Sequence, residues 1–377
     1  MLKWAKKYML LILFWGFIGV FALLDLLIPW REFSEMENRY LARPPVFSTD
    51  SIIKNTYTQK YEEYINDQFF LRDGWITLKS IGESALGRIE NNGVIYGQDH
   101  YLFDKVTHMD LRQLERNIGH IEMFLQNYSD KHITLTLIPN SYAVLGDKLP
   151  AGFNAFDQLS VIQEYNDRVR AAGGNVCDIV PALMEHSGEY IYYRTDHHWT
   201  TTGAYLAYEA YANSLGVGYK NLSGMNGYEV EDFLGTYYSK AKPFSAVPDS
   251  ITWYDIGAAS VMIDGQEYPG LYNWDMFQRR DKYAAFIYSN NGLTVIESGA
   301  NLNHRADEVS RVLVIKDSYG NSFVPFLLYS FDEVYAVDMR YLLGIDELLD
   351  AVAFDDIYIL YNLASFAQDT NVFRINP

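Results

Sequence analysis

Asp196, His197 and His198 occupy three consecutive positions, with Trp199 next to them. A carboxylate two residues from an imidazole suits an acid–base pair, because the carboxylate orients the ring, fixes its tautomer and stabilises its protonated form. The pair lacks a neighbouring nucleophile. Ser318 can supply one from a distance, in the run Lys316-Asp317-Ser318-Tyr319-Gly320-Asn321-Ser322. A serine at a sharp strand-to-helix turn has backbone N–H groups beside it that can hold an oxyanion. Asp196, His198 and Ser318 then form a set for acyl chemistry: Ser318 attacks the acyl carbon, His198 takes its proton and Asp196 holds the ring. The Ser318 N–H and the side chain of Asn140 are the candidate oxyanion donors, and Tyr319 and Arg340 are candidate substrate contacts.

Each of these residues has a plainer role available. Ser318 serves as well for a helix cap, Asn140 for a turn, and Arg340, after a strand-like run, for a structural ion pair as well as a substrate or phosphate contact. Asp196, His197 and His198 are metal-ligating types, but adjacent imidazoles point apart and no HExxH or CxxC spacing accompanies them. No metal and no cofactor is expected. Trp199 reads as packing under the turn.

For Ser318 to meet His198, both must lie at one edge of one sheet. Residues 190–193 are strand-like and residues 202–211 helix-like, so the Asp196/His198 turn sits at a strand-to-helix junction. Strand-like runs recur at 132–140, 175–180, 311–316, 333–341 and 356–362, with helical periodicity at 110–128, 159–172 and 345–352. This rhythm predicts an α/β fold, a mostly parallel open sheet with helices on both faces, whose strands deliver their carboxyl ends to the same edge. Residues 223–310 break the rhythm with short alternating runs rich in Gly, Asn, Tyr and Trp, and read as a β-rich insertion framing the ligand cleft.

The chain has 377 residues, 49% of them hydrophobic, and a formal charge of −18. That charge repels nucleic acid and anionic lipid, so no nucleic-acid partner is expected. Cys177 lies in an apolar run and reads as a buried thiol. Residues 8–30 are almost uninterruptedly apolar behind Lys3, Lys6 and Lys7. The expectation is one transmembrane anchor at 8–30 in the cell membrane, with a cytoplasmic tail at 1–7, a linker at 31–51 interrupted by Pro44-Pro45, and an extracytoplasmic domain at 52–377. A cleaved signal peptide is the alternative.

The motif Asp196-His197-His198-Trp199, the Ser34–Arg39 segment SEMENR and the run 64–75, YINDQFFLRDGW, resemble the DHHW proteins and their relatives, the alginate O-acetyltransferase family. The resemblance implies an SGNH-hydrolase-like domain with Asp196, His198 and Ser318 as its triad. It implies acetyl transfer to an exported polysaccharide, with a multi-pass membrane acyltransferase as donor. Two alternatives stand beside this: a carbohydrate esterase with the same triad, and a non-catalytic glycan-binding or assembly subunit. The second draws on Lys316, which stands where SGNH hydrolases usually have glycine.

Overall fold

The structure is a computed structural model that describes residues 8–24, 27, 29–34, 36 and 39–377, together with the backbone course of helix α1, Leu2–Leu27. The chain divides into two compact units, the first being Met1–Arg88 with Lys242–Phe244, the second Ile89–Ala241 with Ser245–Pro377.

The first unit is built on α1 and the helices α2, Thr56–Gln68, and α3, Arg72–Ala85. Asp67 near the end of α2 accepts from Arg39 Nη1 and Nη2 at 2.9 and 2.5 Å and from the Ala42 N–H at 2.8 Å, tying residues 39–42 to that helix. Among the described residues no helix is long and apolar enough to cross a membrane. The expected single-pass anchor at 8–30, and the cell-membrane location drawn from it, are therefore corrected. Phe21 of α1 packs on Phe69, Phe70 and Trp75 of the same unit. The tail at 1–7 and Asp25 lie outside the described residues, as do Glu35, Glu37 and Asn38 of the SEMENR segment.

The second unit carries the sheet. Its strands are β1, Ile133–Ile138; β2, Asn175–Val176; β3, Ala258–Ile263; β4, Gln266–Glu267; β5, Leu293–Ser298; β6, Arg311–Lys316; β7, Glu333–Val337; and β8, Asp356–Asn362. They are ordered β4-β3-β5-β7-β6-β8-β1-β2. The five from β7 to β2 run parallel, as the β-α-β rhythm requires. The inserted segment adds β3, β4 and β5 antiparallel beyond β7, so it extends the same sheet. The outcome is a mixed α/β sheet.

Every residue of β1 and β8 is buried, which is why these strands read as unbroken apolar runs rather than alternating ones. Leu313 and Ile315 face one side of β6, where α4, Leu111–Asn127, and α5, Gln158–Ala171, supply Leu114, Ile118, Ile121, Ile162, Tyr165 and Val169. Val312 and Val314 face the other side, where α6, Thr201–Leu215, supplies Ala204, Tyr208 and Tyr211. The Thr200 hydroxyl accepts from the Gly203 N–H at 3.3 Å and starts α6, and Gly216, at φ 67°, ends it.

Candidate active site

The turn that carries Asp196 is closed by pairing of Tyr192 with Trp199 and by the Thr200 N–H donating to the Ile191 carbonyl at 2.9 Å. Its outer end is held by Asp249, which accepts from the N–H groups of Arg194 and Thr195, both at 2.8 Å, and from the Thr195 hydroxyl at 2.6 Å. Asp249 begins the second strand of a hairpin, Gly227–Phe233 with Asp249–Tyr254. The turn's position is thus set by the inserted segment.

Within that frame His198 Nδ1 lies 2.6 Å from Asp196 Oδ1, and His198 Nε2 lies 2.8 Å from Ser318 Oγ. Asp196 Oδ1 also accepts from the His198 N–H at 3.0 Å, and Oδ2 from the Thr236 N–H at 2.7 Å. Burial works to raise the Asp196 pKa, but the two imidazoles and these hydrogen bonds outweigh it and hold the carboxyl below its usual range. Asp196 and His198 are buried and Ser318 is partly exposed, so the relay runs from the interior outward.

Three side chains fix the serine turn against the histidine turn. Trp199 Nε1 donates to the Tyr319 carbonyl at 3.0 Å and to Ser322 Oγ at 3.1 Å. The Tyr319 hydroxyl donates to the His197 carbonyl. Tyr283 donates its hydroxyl to the Ser318 carbonyl at 3.0 Å and lays its ring on His198, with centroids 3.8 Å apart and planes 13° from parallel. Tyr319 is fully buried and its N–H is taken by Asp317 Oδ1 at 2.9 Å. Its expected place as a substrate contact is corrected: the ring turns inward because the phenol finds its partner beneath the turn.

Asn140 caps the carboxyl end of β1, at the sheet edge that also carries Ser318. Its Oδ1 accepts from Gln158 Nε2 at 2.9 Å and Asn362 Nδ2 at 3.2 Å, which fixes the amide's orientation and leaves Nδ2 as the free end. Among the described residues neither Asn140 Nδ2 nor the Ser318 N–H makes a hydrogen bond. Arg340 instead donates from Nε and Nη2 to Asp338 at 2.8 and 2.5 Å and lies away from the relay, over the cleft lined by Asp317.

Lys316 does not displace the nucleophile. Its chain runs under Gly320, where a Cβ would stand 2.5 Å from Lys316 Cδ, and its Nζ donates to Asn321 Oδ1 at 2.6 Å. Burial pulls its pKa down to about 8 and pushes that of Asp317 up to about 6. Asp196, His197 and His198 offer ligand atoms within 4.8 Å of one another. Both ring nitrogens of His198 are nevertheless engaged by Asp196 and Ser318, and His197 Nδ1 lies 2.7 Å from Thr236 Oγ1.

Tyr283, Thr236 and Asp249 were not legible beforehand, since all three lie in the inserted segment and no spacing ties them to the triad. Residues 133–337, more than half of the chain, match the DHHW protein family, and the match includes Asn140, Asp196, His198 and Ser318. The chain belongs to the DHHW protein family. A DHHW family protein from Eubacterium siraeum is similar to it at a TM-score of 0.63 and 25% identity, over 76% of this chain and 97% of its own. Bacillus cereus PatB1, solved with a sulfonyl adduct, shares the fold at a TM-score of 0.59 and 18% identity, over 75% of this chain and 100% of its own. The probable alginate O-acetylase AlgJ of Pseudomonas fluorescens is 25% identical over 185 residues, 45% of this chain and 46% of the relative. This DHHW protein thus spans about half the length of that curated relative.

Proposed function

We propose that this DHHW protein is an O-acetyltransferase that passes an acetyl group through Ser318 to a hydroxyl of a polysaccharide. The observation that supports it most is the continuous relay from buried Asp196 through His198 to the partly exposed Ser318, at 2.6 and 2.8 Å. In this reading His198 Nε2 takes the Ser318 proton as Oγ attacks the acetyl carbonyl. The Ser318 N–H and Asn140 Nδ2 receive the oxyanion. Collapse of the tetrahedral intermediate breaks the bond to the donor's leaving oxygen, which takes the proton from His198 and leaves acetyl-Ser318. A sugar hydroxyl then attacks, giving its proton to His198, and the second collapse returns the proton to Ser318 Oγ and releases the acetylated sugar. Kinship with a probable alginate O-acetylase supports the acetyl group and the polysaccharide class.

The test is the intact mass of the protein after incubation with an activated acetyl ester. The wild type gains one acetyl group, while Ser318→Ala and His198→Ala do not. A folded wild type with neither adduct nor turnover overturns the reading. Product analysis with oligosaccharide acceptors then separates transfer from hydrolysis, since free acetate as the sole product means an esterase.

A further inference from the structure

On the far side of Asp317 from the relay, the carboxyl edge of the sheet opens into a cleft of about 310 Å³. Its walls include Asp317, Arg340, Tyr361, Ser365, Asp369 and Thr370. That volume is at the low end of small-ligand sites, ~300–1,000 Å³. The lining departs from the usual apolar pocket because almost every side chain in it donates or accepts a hydrogen bond.

Several of those groups are only partly used. Arg340 commits Nε and Nη2 to Asp338, which holds the guanidinium flat and leaves Nη1 as a donor. Asp369 Oδ1 accepts from the Asn371 N–H at 2.7 Å and Nδ2 at 2.9 Å, so Oδ2 remains an acceptor. Tyr361 is 2% exposed, and its hydroxyl is buried without a hydrogen-bond partner, in the field of Asp369, Asp338 and Asp317. A buried phenol left unpaired costs free energy, which a hydroxyl seated in the cleft would recover. The charge of the walls selects the ligand class. Asp317 and Asp369 face the cleft against Arg340, whose charge Asp338 already offsets, so an anion gains little there, whereas hydroxyl groups can donate to the carboxylates and accept from the arginine.

We propose that this cleft is a subsite for a neutral pyranose unit of the acceptor. Asp317 directly precedes Ser318, so the cleft and the nucleophile share one edge of the sheet, and the unit acetylated is a different one from the ring seated here. The binding claim stands on the cleft itself; its purpose rests on the acetyltransferase reading.

Saturation-transfer NMR on the full chain tests it, with cellobiose and diacetylchitobiose as neutral probes and digalacturonate as the anionic one. The expected result is transfer to a neutral probe that falls at least fivefold in Thr370→Trp, which fills the cleft, and in Asp369→Asn, which removes a charged acceptor while keeping the side chain's size. Transfer unchanged in both variants, no transfer to either neutral probe, or preference for digalacturonate overturns the proposal. The acetyl adduct on the wild type is read separately. An adduct without cleft-dependent sugar binding sinks the subsite and leaves the transferase reading standing; sugar binding lost in the variants, without an adduct in the wild type, does the reverse.

Discussion

Asp196 has more hydrogen-bond donors than an orienting carboxylate needs: the His198 ring, the His198 N–H and the Thr236 N–H all converge on it. Replacing it by Asn removes the negative charge and presents an amide donor to one of these donors. Asp196→Asn is therefore expected to lower kcat on an activated acetyl ester by on the order of 10⁴-fold with the fold intact, as amidation does for an aspartate in this role; steady-state kinetics beside a circular-dichroism melt checks both parts. His197 gives a pH signature. Burial first, and then the neighbouring His198, pull its pKa down to about 4. Between the unfolded value of about 6.5 and about 4 the unfolded chain takes up a proton that the folded one refuses, so stability falls as pH falls through that window. The ring is 31% exposed, which limits the loss to on the order of 1 kcal/mol. Urea midpoints at pH 7 and pH 5 should converge in His197→Gln relative to the wild type.

At the scale of elements, the geometry of the relay depends on a helix start with no chemistry of its own. The helix Thr236–Ala241 presents the Thr236 N–H to Asp196, and it comes close enough only because residue 235 is glycine. A Cβ there would stand 2.2 Å from Asp196 Cβ and 2.3 Å from its Oδ2. Gly235→Ala is expected to displace the carboxylate and to lower kcat by roughly 100-fold, as misplacement of a catalytic group by about 1 Å does, with a stability loss of about 1–3 kcal/mol. Gly257→Ala, where the nearest atom to the added carbon is 3.8 Å away, is the control expected to change neither. The same logic explains the pairing of Lys316 with Gly320. A long side chain replaces the usual small residue before the serine turn, and the missing Cβ two residues beyond Ser318 gives it room.

For the whole molecule, the sheet, both large apolar clusters and every residue of the relay belong to the unit that begins at Ile89. A fragment of residues 89–377 is accordingly expected to fold, unfold in one transition and still take up the acetyl group. Thermal melting and intact mass check this, and a molten or inert fragment would mean that the first 88 residues complete the fold.

The residues of the relay were legible from their types. Asp196 and His198 stand together in the chain and Ser318 follows an apolar strand, but the expected strand at 190–193 is not part of the sheet: an isolated Tyr192–Trp199 pairing and Asp249 bring that turn to Ser318 instead. Periodicity likewise gave the helices on both faces and the five parallel strands, because buried strands and amphipathic helices leave patterns in consecutive residues. What supports the site left no such pattern. Tyr283 under the imidazole, Asp249 on the turn, the Gly235 approach and the inward rotation of Tyr319 join residues tens of positions apart, and each is set by packing of side chains that no local period records. The apolar amino-terminal run shows the same limit from the other side, since hydropathy counts residues but does not see that Phe21 has aromatic partners in the chain itself. Residue types and spacing singled out the Asp196, His198 and Ser318 set, because a side chain's reactivity resides in its type. Tertiary structure alone decided which of those residues touch and which clefts open beside them, because these depend on distances that only the folded chain creates.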